Sequence, residues 1–236
     1  MRQELTPLSY SSLKEFMKSP AHFLAYKNRE LKETPAMRFG TAVHSAILEP
    51  QKFINQYDKT DLRRNTKAYK ELDDSKLWLS SSEWSSIEGI KRSISRNVSA
   101  SDELSKCVHF EQEVKGLIKG VEFRGFVDAM SQDTIIDLKT TQDASPDGFA
   151  KSVYNFSYHL QASIYLELTG ADRYFILAVE NQSPYSCALY ELSQDALDSG
   201  RAMLEKGIAM FKDWDGSYQG YEKHNFQKLD LPRWAK

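Results

Sequence analysis

Apolar residues recur at helical spacing through the first hundred residues, and this pattern predicts a helical N-terminal part. The inward positions of the predicted helices are Leu13, Phe16 and Met17; Phe23 and Leu24; Phe39, Val43, Ala46 and Ile47; and Trp84, Ile87, Ile90 and Ile94. Serines 9, 11 and 12 are candidate N-caps, Pro20 breaks or restarts the first helix, and Pro50 stops the one that starts near Arg38. The polar, charged stretch 58–75 predicts an exposed loop and helix edge.

The middle of the chain changes to a strand pattern. Val108 to Leu117, Val121 to Met130 and Thr134 to Thr140 read as successive strands, joined by short turns at 116–120 and 131–133. The third strand shows little alternation, which is typical of a strand covered on both faces. We therefore expect a three-stranded meander with its last strand in the interior.

The remaining pattern completes a mixed fold. It predicts a helix over Tyr158–Thr169, a hairpin formed by Arg173–Glu180 and Ser186–Leu192, and a long amphipathic helix over Ser193–Trp214. The predicted order is helices, three strands, a helix, two strands and a helix. This order indicates an α/β (α+β) fold with a central sheet flanked by helices.

Composition limits the classes of protein that need considering. The 236 residues are 41% hydrophobic, which suits one domain with a helical part over 1–100, a core over 105–215 and an irregular tail over 216–236. No signal-like or membrane-spanning run is visible, so we expect a cytoplasmic protein with no membrane partner. The two cysteines, Cys107 and Cys187, are expected to be free thiols. A net charge of −2 means that any DNA would have to meet a local basic surface.

Two carboxylates and a lysine are the candidate chemistry. Asp137 and Lys139 are two apart on the third strand and so share a face, and a hairpin could bring Asp128 beside them. Carboxylates in this arrangement suit Mg²⁺ or Mn²⁺, and a lysine can position or help deprotonate water if burial lowers its pKa. The plain alternative is a solvent-exposed ion pair, but charges set among Ile135, Ile136 and Leu138 are costly unless they are paired or functional.

These residues, with motifs on either side, resemble a known family. Asp128 with Asp137-x-Lys139 resembles the PD-(D/E)XK nuclease signature, without the proline before Asp128. Gly40 to His44 resembles the Gly-x-x-x-His motif of the RecB- and RecE-like branch, and Gln161 to Tyr165 its Gln-x-x-x-Tyr motif. The similarity to phage and prophage RecE exonuclease domains extends over nearly the whole chain, through Leu8-Ser9-x-Ser11, Ser19-Pro20, Val179-Glu180, Pro184-Tyr185 and Leu229 to Ala235.

The resemblance implies roles at individual positions. His44, Asp128 and Asp137 would bind Mg²⁺, with Mn²⁺ as a substitute and the carbonyl of Leu138 as a further ligand, and Lys139 would orient or activate the water. A restriction-endonuclease-like core would carry these residues.

Four further residues are implied near this centre. Gln161 and Tyr165 lie one helical turn apart and would contact the lysine region or DNA; ordinary packing is the alternative. A glutamate on the strand before that of Asp128 would help to bind the metal. Strand parity gives Glu111 and Glu113 the same face, and the family pattern favours Glu113.

The resemblance also implies a substrate and partners. Arg63 and Arg64, in a basic cluster beside Tyr69, and Arg124 near Asp128 are candidate DNA contacts, with a solvated surface as the alternative. The expected enzyme degrades double-stranded DNA from its ends, 5′→3′, leaving 3′ tails for an annealing protein of the RecT type. It would act as a homo-oligomeric ring. The competing hypotheses are a flap or single-strand endonuclease on the same fold and a non-catalytic DNA-binding or assembly module.

Overall fold

A computed structural model describes residues 5–30, 32–218, 220–221 and 229–232. Part of the closing family motif, Arg233 to Ala235, lies outside these residues. The helices are α1 Tyr10–Lys18, α2 Pro20–Asn28, α3 Pro35–Leu48, α4 Pro50–Gln56, α5 Lys67–Lys70, α6 Ser81–Arg96, α7 Val98–Lys106, α8 Pro146–Phe156, α9 Tyr158–Thr169 and α10 Gln194–Asp213. The strands are β1 Tyr57–Thr60, β2 Leu77–Ser80, β3 His109–Ile118, β4 Val121–Met130, β5 Thr134–Thr141, β6 Arg173–Glu180 and β7 Cys187–Glu191.

A five-stranded mixed sheet in the order β3-β4-β5-β6-β7 lies at the centre. β3, β4 and β5 form the expected antiparallel meander, β6 runs parallel to β5, and β7 closes the sheet as a hairpin partner of β6. The turn between β3 and β4 is shorter than the sequence suggested. It consists of Lys119 and Gly120, both with positive φ (48° and 77°), and Gly116 lies inside the strand.

Helices cover both faces of this sheet, as the expected fold class requires. On one face α1, α2, α9 and α10 bury Phe16, Phe23, Ile164 and Phe211 against the sheet. On the other face α3, α6 and α7 bury Val43, Ile90 and Ala100 against it. β5 is buried on both sides, in agreement with its lack of alternation.

Proline residues start helices here as well as ending them. Pro20, Pro35, Pro50 and Pro146 each occupy the first turn of a helix, where the missing N–H would have had no partner. Pro50 therefore follows the end of α3 and also opens α4, which the sequence did not predict. The helices α5, α7 and α8 and the small parallel sheet β1–β2 were also missed.

The cysteines and the apolarity of the helices can also be compared with the sequence. Cys107 and Cys187 are both free, as expected. No helix in the described part of the chain is long and apolar enough to cross a membrane.

Candidate active site

Asp137 and Lys139 point together from the buried strand β5. Asp137 is only 1% exposed. The ammonium of Lys139 lies 2.6 Å from Oδ2 and 2.7 Å from Oδ1 of its carboxylate. This is the same-face arrangement that alternation along a strand predicts. The pair is thus a buried one rather than the exposed ion pair that was the plain alternative.

Asp128 lies on β4 and reaches the same edge of β5. The register that pairs Ala129 with Ile136 sets Asp128 opposite Asp137, and the backbone N–H of Leu138 donates a 2.7 Å hydrogen bond to Oδ2 of Asp128. Burial and the neighbouring charge of Asp137 raise the pKa of Asp128 to about 6. Two buried carboxylates side by side repel each other, so the site favours a cation between or beside them.

His44 and Glu111 complete a group of possible ligands. The Nδ1 atom of His44, on α3, lies 3.4 Å from Oε1 of Glu111 and 3.6 Å from Oδ2 of Asp128. One donor atom from each of these three residues lies within 4.8 Å of the others. Burial lowers the pKa of His44, but the hydrogen bond to Glu111 and the charge of Asp128 outweigh burial and raise it. Asp137 adjoins this group, but its carboxylate is engaged by Lys139 and by Gln161.

The structure does not bring Glu113, the glutamate that the family pattern favours, into the group of possible ligands. Glu113 is about half exposed and pairs with Arg124 at 3.8 Å, whereas Glu111 turns to His44. The two glutamates do not share a face, as parity had assumed, because the backbone is irregular here: Glu111 has a φ of 49°. The facing part of β4 is irregular as well. Val127 packs on one side of the sheet and Ala129 on the other, whereas residues two apart in a regular strand share a face.

The Gln-x-x-x-Tyr motif lies on α9, facing the sheet. The amide of Gln161 donates a 2.9 Å hydrogen bond to Oδ1 of Asp137. The ring of Tyr165 lies directly over Gly125 of β4, where an added Cβ would come within 2.4 Å of it. Burial raises the pKa of Tyr165 to about 12, so it is a neutral phenol. Gln161 therefore orients the carboxylate of Asp137, and Tyr165 packs on the strand that carries Asp128.

Two tyrosines near the site were missed by sequence reasoning. The ammonium of Lys139 lies 5.0 Å from the centre of the Tyr158 ring, which is a cation–π contact. Tyr174 on β6 is fully buried, and burial together with the charge of Asp137 raises its pKa well above the ordinary value. For Tyr158 a signal existed, because it lies three residues before Gln161 and so on the same side of the helix.

The charge state of Lys139 follows from these neighbours. Burial by itself would lower the pKa of Lys139, but Asp137 and Asp128 outweigh it and hold the pKa above its ordinary value. The expectation of a lysine whose pKa is lowered by burial is therefore not met. Lys139 is an ammonium that can donate hydrogen bonds and balance negative charge, which fits the orienting role better than that of a base.

Of the three candidate DNA-contacting arginines, Arg63 and Arg64 are neighbours in one loop, whereas Arg124 lies on β4. Arg63 is exposed on the loop before α5. Arg64 donates to the carbonyl of Trp78 at 3.1 Å and lies 3.5 Å from Glu83. Arg124 is about half exposed on β4 and lines a cleft with Ser9, Lys27 and Tyr165. The structure brings none of the three into the carboxylate group.

The donor set fits a hard divalent cation. Carboxylate oxygens and one imidazole nitrogen at a partly open position are ligands that Mg²⁺ and Mn²⁺ accept. His44, Glu111 and Asp128 are placed to hold such an ion, and Asp137 is adjacent. Leu138 follows Asp137 on β5 and its N–H contacts Asp128, so the role of its carbonyl as a ligand stays a prediction.

The fold and these residues define the chain as a PD-(D/E)XK-like domain. Residues 9–216 match the model of a family described as a PDDEXK-like domain of unknown function, and the chain belongs to that family. A comparison with curated proteins finds no match.

A comparison with solved structures finds similarity to two bacterial proteins, among others. One is a "putative exonuclease" from Eubacterium rectale, with 16% identity, a TM-score of 0.62 and coverage of 89% of this chain and 83% of the other. The second is a phage-related exonuclease from Haemophilus somnus, with 14% identity, a TM-score of 0.41 and coverage of 87% and 93%. The first of these supports the assignment of the fold.

Proposed function

We propose that this protein is a metal-dependent exodeoxyribonuclease that hydrolyses phosphodiester bonds from the ends of double-stranded DNA. The observation that carries the proposal is the convergence of Asp128, Asp137 and Lys139 at one edge of the sheet, with His44 and Glu111 beside them. Such a buried, charged group is costly to fold unless it serves a purpose. The similar structure from Eubacterium rectale, which is described as an exonuclease, is in keeping with it.

Each residue has a role in the proposed reaction. His44, Glu111 and Asp128 would hold Mg²⁺, or Mn²⁺ in its place, with Asp137 contributing from the adjacent strand. A bound ion would polarise the scissile phosphate and lower the pKa of a bound water. Lys139, held between Asp137 and the ring of Tyr158, is positioned to orient the attacking water and to balance charge on the phosphate. Gln161 keeps the carboxylate of Asp137 in place.

The direction and products of the reaction are part of the proposal. We expect digestion of the 5′-ended strand in the 5′→3′ direction, which leaves a 3′ single-stranded tail for an annealing protein of the RecT type. A homo-oligomeric ring in the cytoplasm would be the active form, because a basic channel could then hold DNA despite the net charge of −2. Sedimentation that finds only monomer at working concentrations would contradict the ring.

A digestion experiment tests the activity. End-labelled linear duplex DNA and closed circular duplex are incubated with Mg²⁺ or with EDTA, using wild type and Lys139→Ala. Lys206→Ala, on an exposed position of α10, is the matched control. We expect loss of linear DNA only, dependent on Mg²⁺, abolished in Lys139→Ala and retained in the control. Cleavage of the circle would indicate an endonuclease, and no cleavage of either DNA with Mg²⁺ would indicate a binding or assembly module.

A further inference from the structure

A groove beside the candidate active site carries two arginines that share one acid. The groove has a volume of about 570 Å³ and lies between α3, α5 and the small sheet β1–β2. Arg38 and Arg64 both line it, and among the described residues the ion pairs of both go to Glu83, at 3.7 and 3.5 Å. Both distances are longer than the ~2.7–2.9 Å of a strong charge-assisted hydrogen bond.

Glu83 is already committed to another contact. Its Oε2 accepts a 2.7 Å hydrogen bond from the backbone N–H of Ser80 and so caps α6. In addition, Nε of Arg38 is buried and makes no hydrogen bond. Two guanidinium groups with one preoccupied carboxylate between them leave donors for an anion, and a planar fork suits a phosphate.

Aromatic rings line the same groove. Trp78 is fixed by a 2.8 Å hydrogen bond from its indole N–H to the carbonyl of Asp73, and the guanidinium of Arg64 lies 5.8 Å from the centre of the Tyr69 ring. Both rings are partly exposed. Cations next to accessible ring faces are the combination that binds single-stranded nucleic acid, because phosphates meet the cations and bases stack on the rings.

The groove adjoins the candidate metal site through α3. Thr41 lines the groove and lies one helical turn before His44, on the same side of the helix. Gly40 of the same turn approaches the side chain of Thr140, the residue after Lys139. A strand in the groove would therefore continue toward the reacting phosphate.

We propose that this groove, defined by Arg38, Arg64, Tyr69 and Trp78, binds a nucleotide of single-stranded DNA next to the cleavage site. The inference rests on the proposed nuclease function and assigns part of its substrate. Three carboxylates, Glu33, Asp73 and Asp74, also line the groove. Lys70 and Lys76 line it as well, so four cations meet three carboxylates. The excess of one positive charge suits one phosphate and its base rather than a run of phosphates.

Binding in EDTA tests the groove without cleavage. The probe is a short fluorescein-labelled oligothymidylate, and its anisotropy is followed with the full-length protein over a range of salt concentrations. The variants are Arg38→Gln/Arg64→Gln and Tyr69→Leu. Their matched controls are Arg201→Gln, on α10, and Tyr154→Leu, an exposed ring on α8. Thermal unfolding of each variant checks that it is folded.

The expected results separate the phosphate from the base. The double arginine variant should bind about tenfold more weakly. The slope of its log affinity against log salt concentration should be shallower by about one. Tyr69→Leu should also bind about tenfold more weakly, with an unchanged salt slope, because stacking carries no charge. If only the arginine variant loses affinity, the site binds free phosphate and the proposal is overturned. Folded variants that bind like their controls overturn it too.

Failure of the groove can be distinguished from failure of the nuclease. Digestion of linear duplex by wild type with Mg²⁺, but with no role for the groove in binding, would overturn only the inference. Groove-dependent binding of the oligothymidylate without any digestion would overturn only the proposed nuclease function.

Discussion

Replacing Asp128 by asparagine should stabilise the metal-free protein while it abolishes metal-dependent activity. Asp128 is 8% exposed and beside Asp137, and this environment raises its pKa from an ordinary 3.8 to about 6. At neutral pH the folded protein therefore carries a carboxylate charge that the unfolded chain holds at lower cost. Asparagine removes the charge and keeps an oxygen that can accept the hydrogen bond from the N–H of Leu138.

The magnitude follows from the difference between the two pKa values. At roughly 1.4 kcal/mol per pH unit, a rise from 3.8 to about 6 corresponds to about 3 kcal/mol of lost stability above pH 6. Between pH 3.8 and about 6 the folded state binds the proton and the unfolded state does not. Stability should therefore rise as the pH falls through this range. The raised pKa of His44 acts in the same direction but at higher pH, above its ordinary value of 6.5. Between neutral pH and pH 5 the variant should therefore lose most, but not all, of the pH dependence.

Urea unfolding in EDTA at about pH 7.5 and about pH 5 measures the effect. Asp133→Asn is the matched control, because Asp133 is exposed in a turn and hydrogen bonds from Thr134 and Ser131 lower its pKa. The control should not be stabilised. Added Mg²⁺ should stabilise wild type, since it binds only the folded state, and should have little effect on Asp128→Asn. A variant less stable than wild type in EDTA near neutral pH would refute the reasoning.

Further variants test the surroundings of the site. Glu111→Gln removes a possible ligand and should weaken Mg²⁺ binding about tenfold in calorimetry, while Glu113→Gln should change it by less than about twofold. The reverse order would indicate that Glu113 is the metal ligand. Gln161→Leu removes the amide donor to a buried carboxylate and should lower kcat about tenfold, measured on linear duplex, and an unchanged kcat would contradict its orienting role. Tyr158→Leu should lower kcat about tenfold with little change in KM, and Tyr158→Phe should restore it, because the ring face holds the ammonium of Lys139. Equal loss in both Tyr158 variants would indicate that the hydroxyl matters instead.

The strands and helices near the site could be predicted from local pattern. β4, β6 and α9 have the bounds that the sequence indicated, since alternation, turn residues and the stop at Gly170 are all local signals. Segments without such signals were missed. β1 and β2 are four residues each, and they exist because they pair with each other across an exposed stretch rather than because of their own sequence.

Most members of the candidate active site were predictable from the sequence, but Glu111 and the geometry of the site were not. Spacing of two along a buried strand was enough to place Asp137 and Lys139 on one face. The sign of the pKa change at Lys139 was not predictable, because it depends on how closely two carboxylates approach the ammonium after folding.

The sequence by itself determined the order of the long elements around the site, the central sheet and the residue types that meet at its edge, because these follow from periodicity and from a motif. Only the tertiary structure decided that Glu111 rather than Glu113 faces His44, since one residue with positive φ breaks the alternation on which parity depends. Only the tertiary structure brought Arg38 and Arg64 to the same acid, because they lie on separate elements. Local pattern is encoded in neighbouring residues, whereas contacts between distant residues depend on how the layers pack.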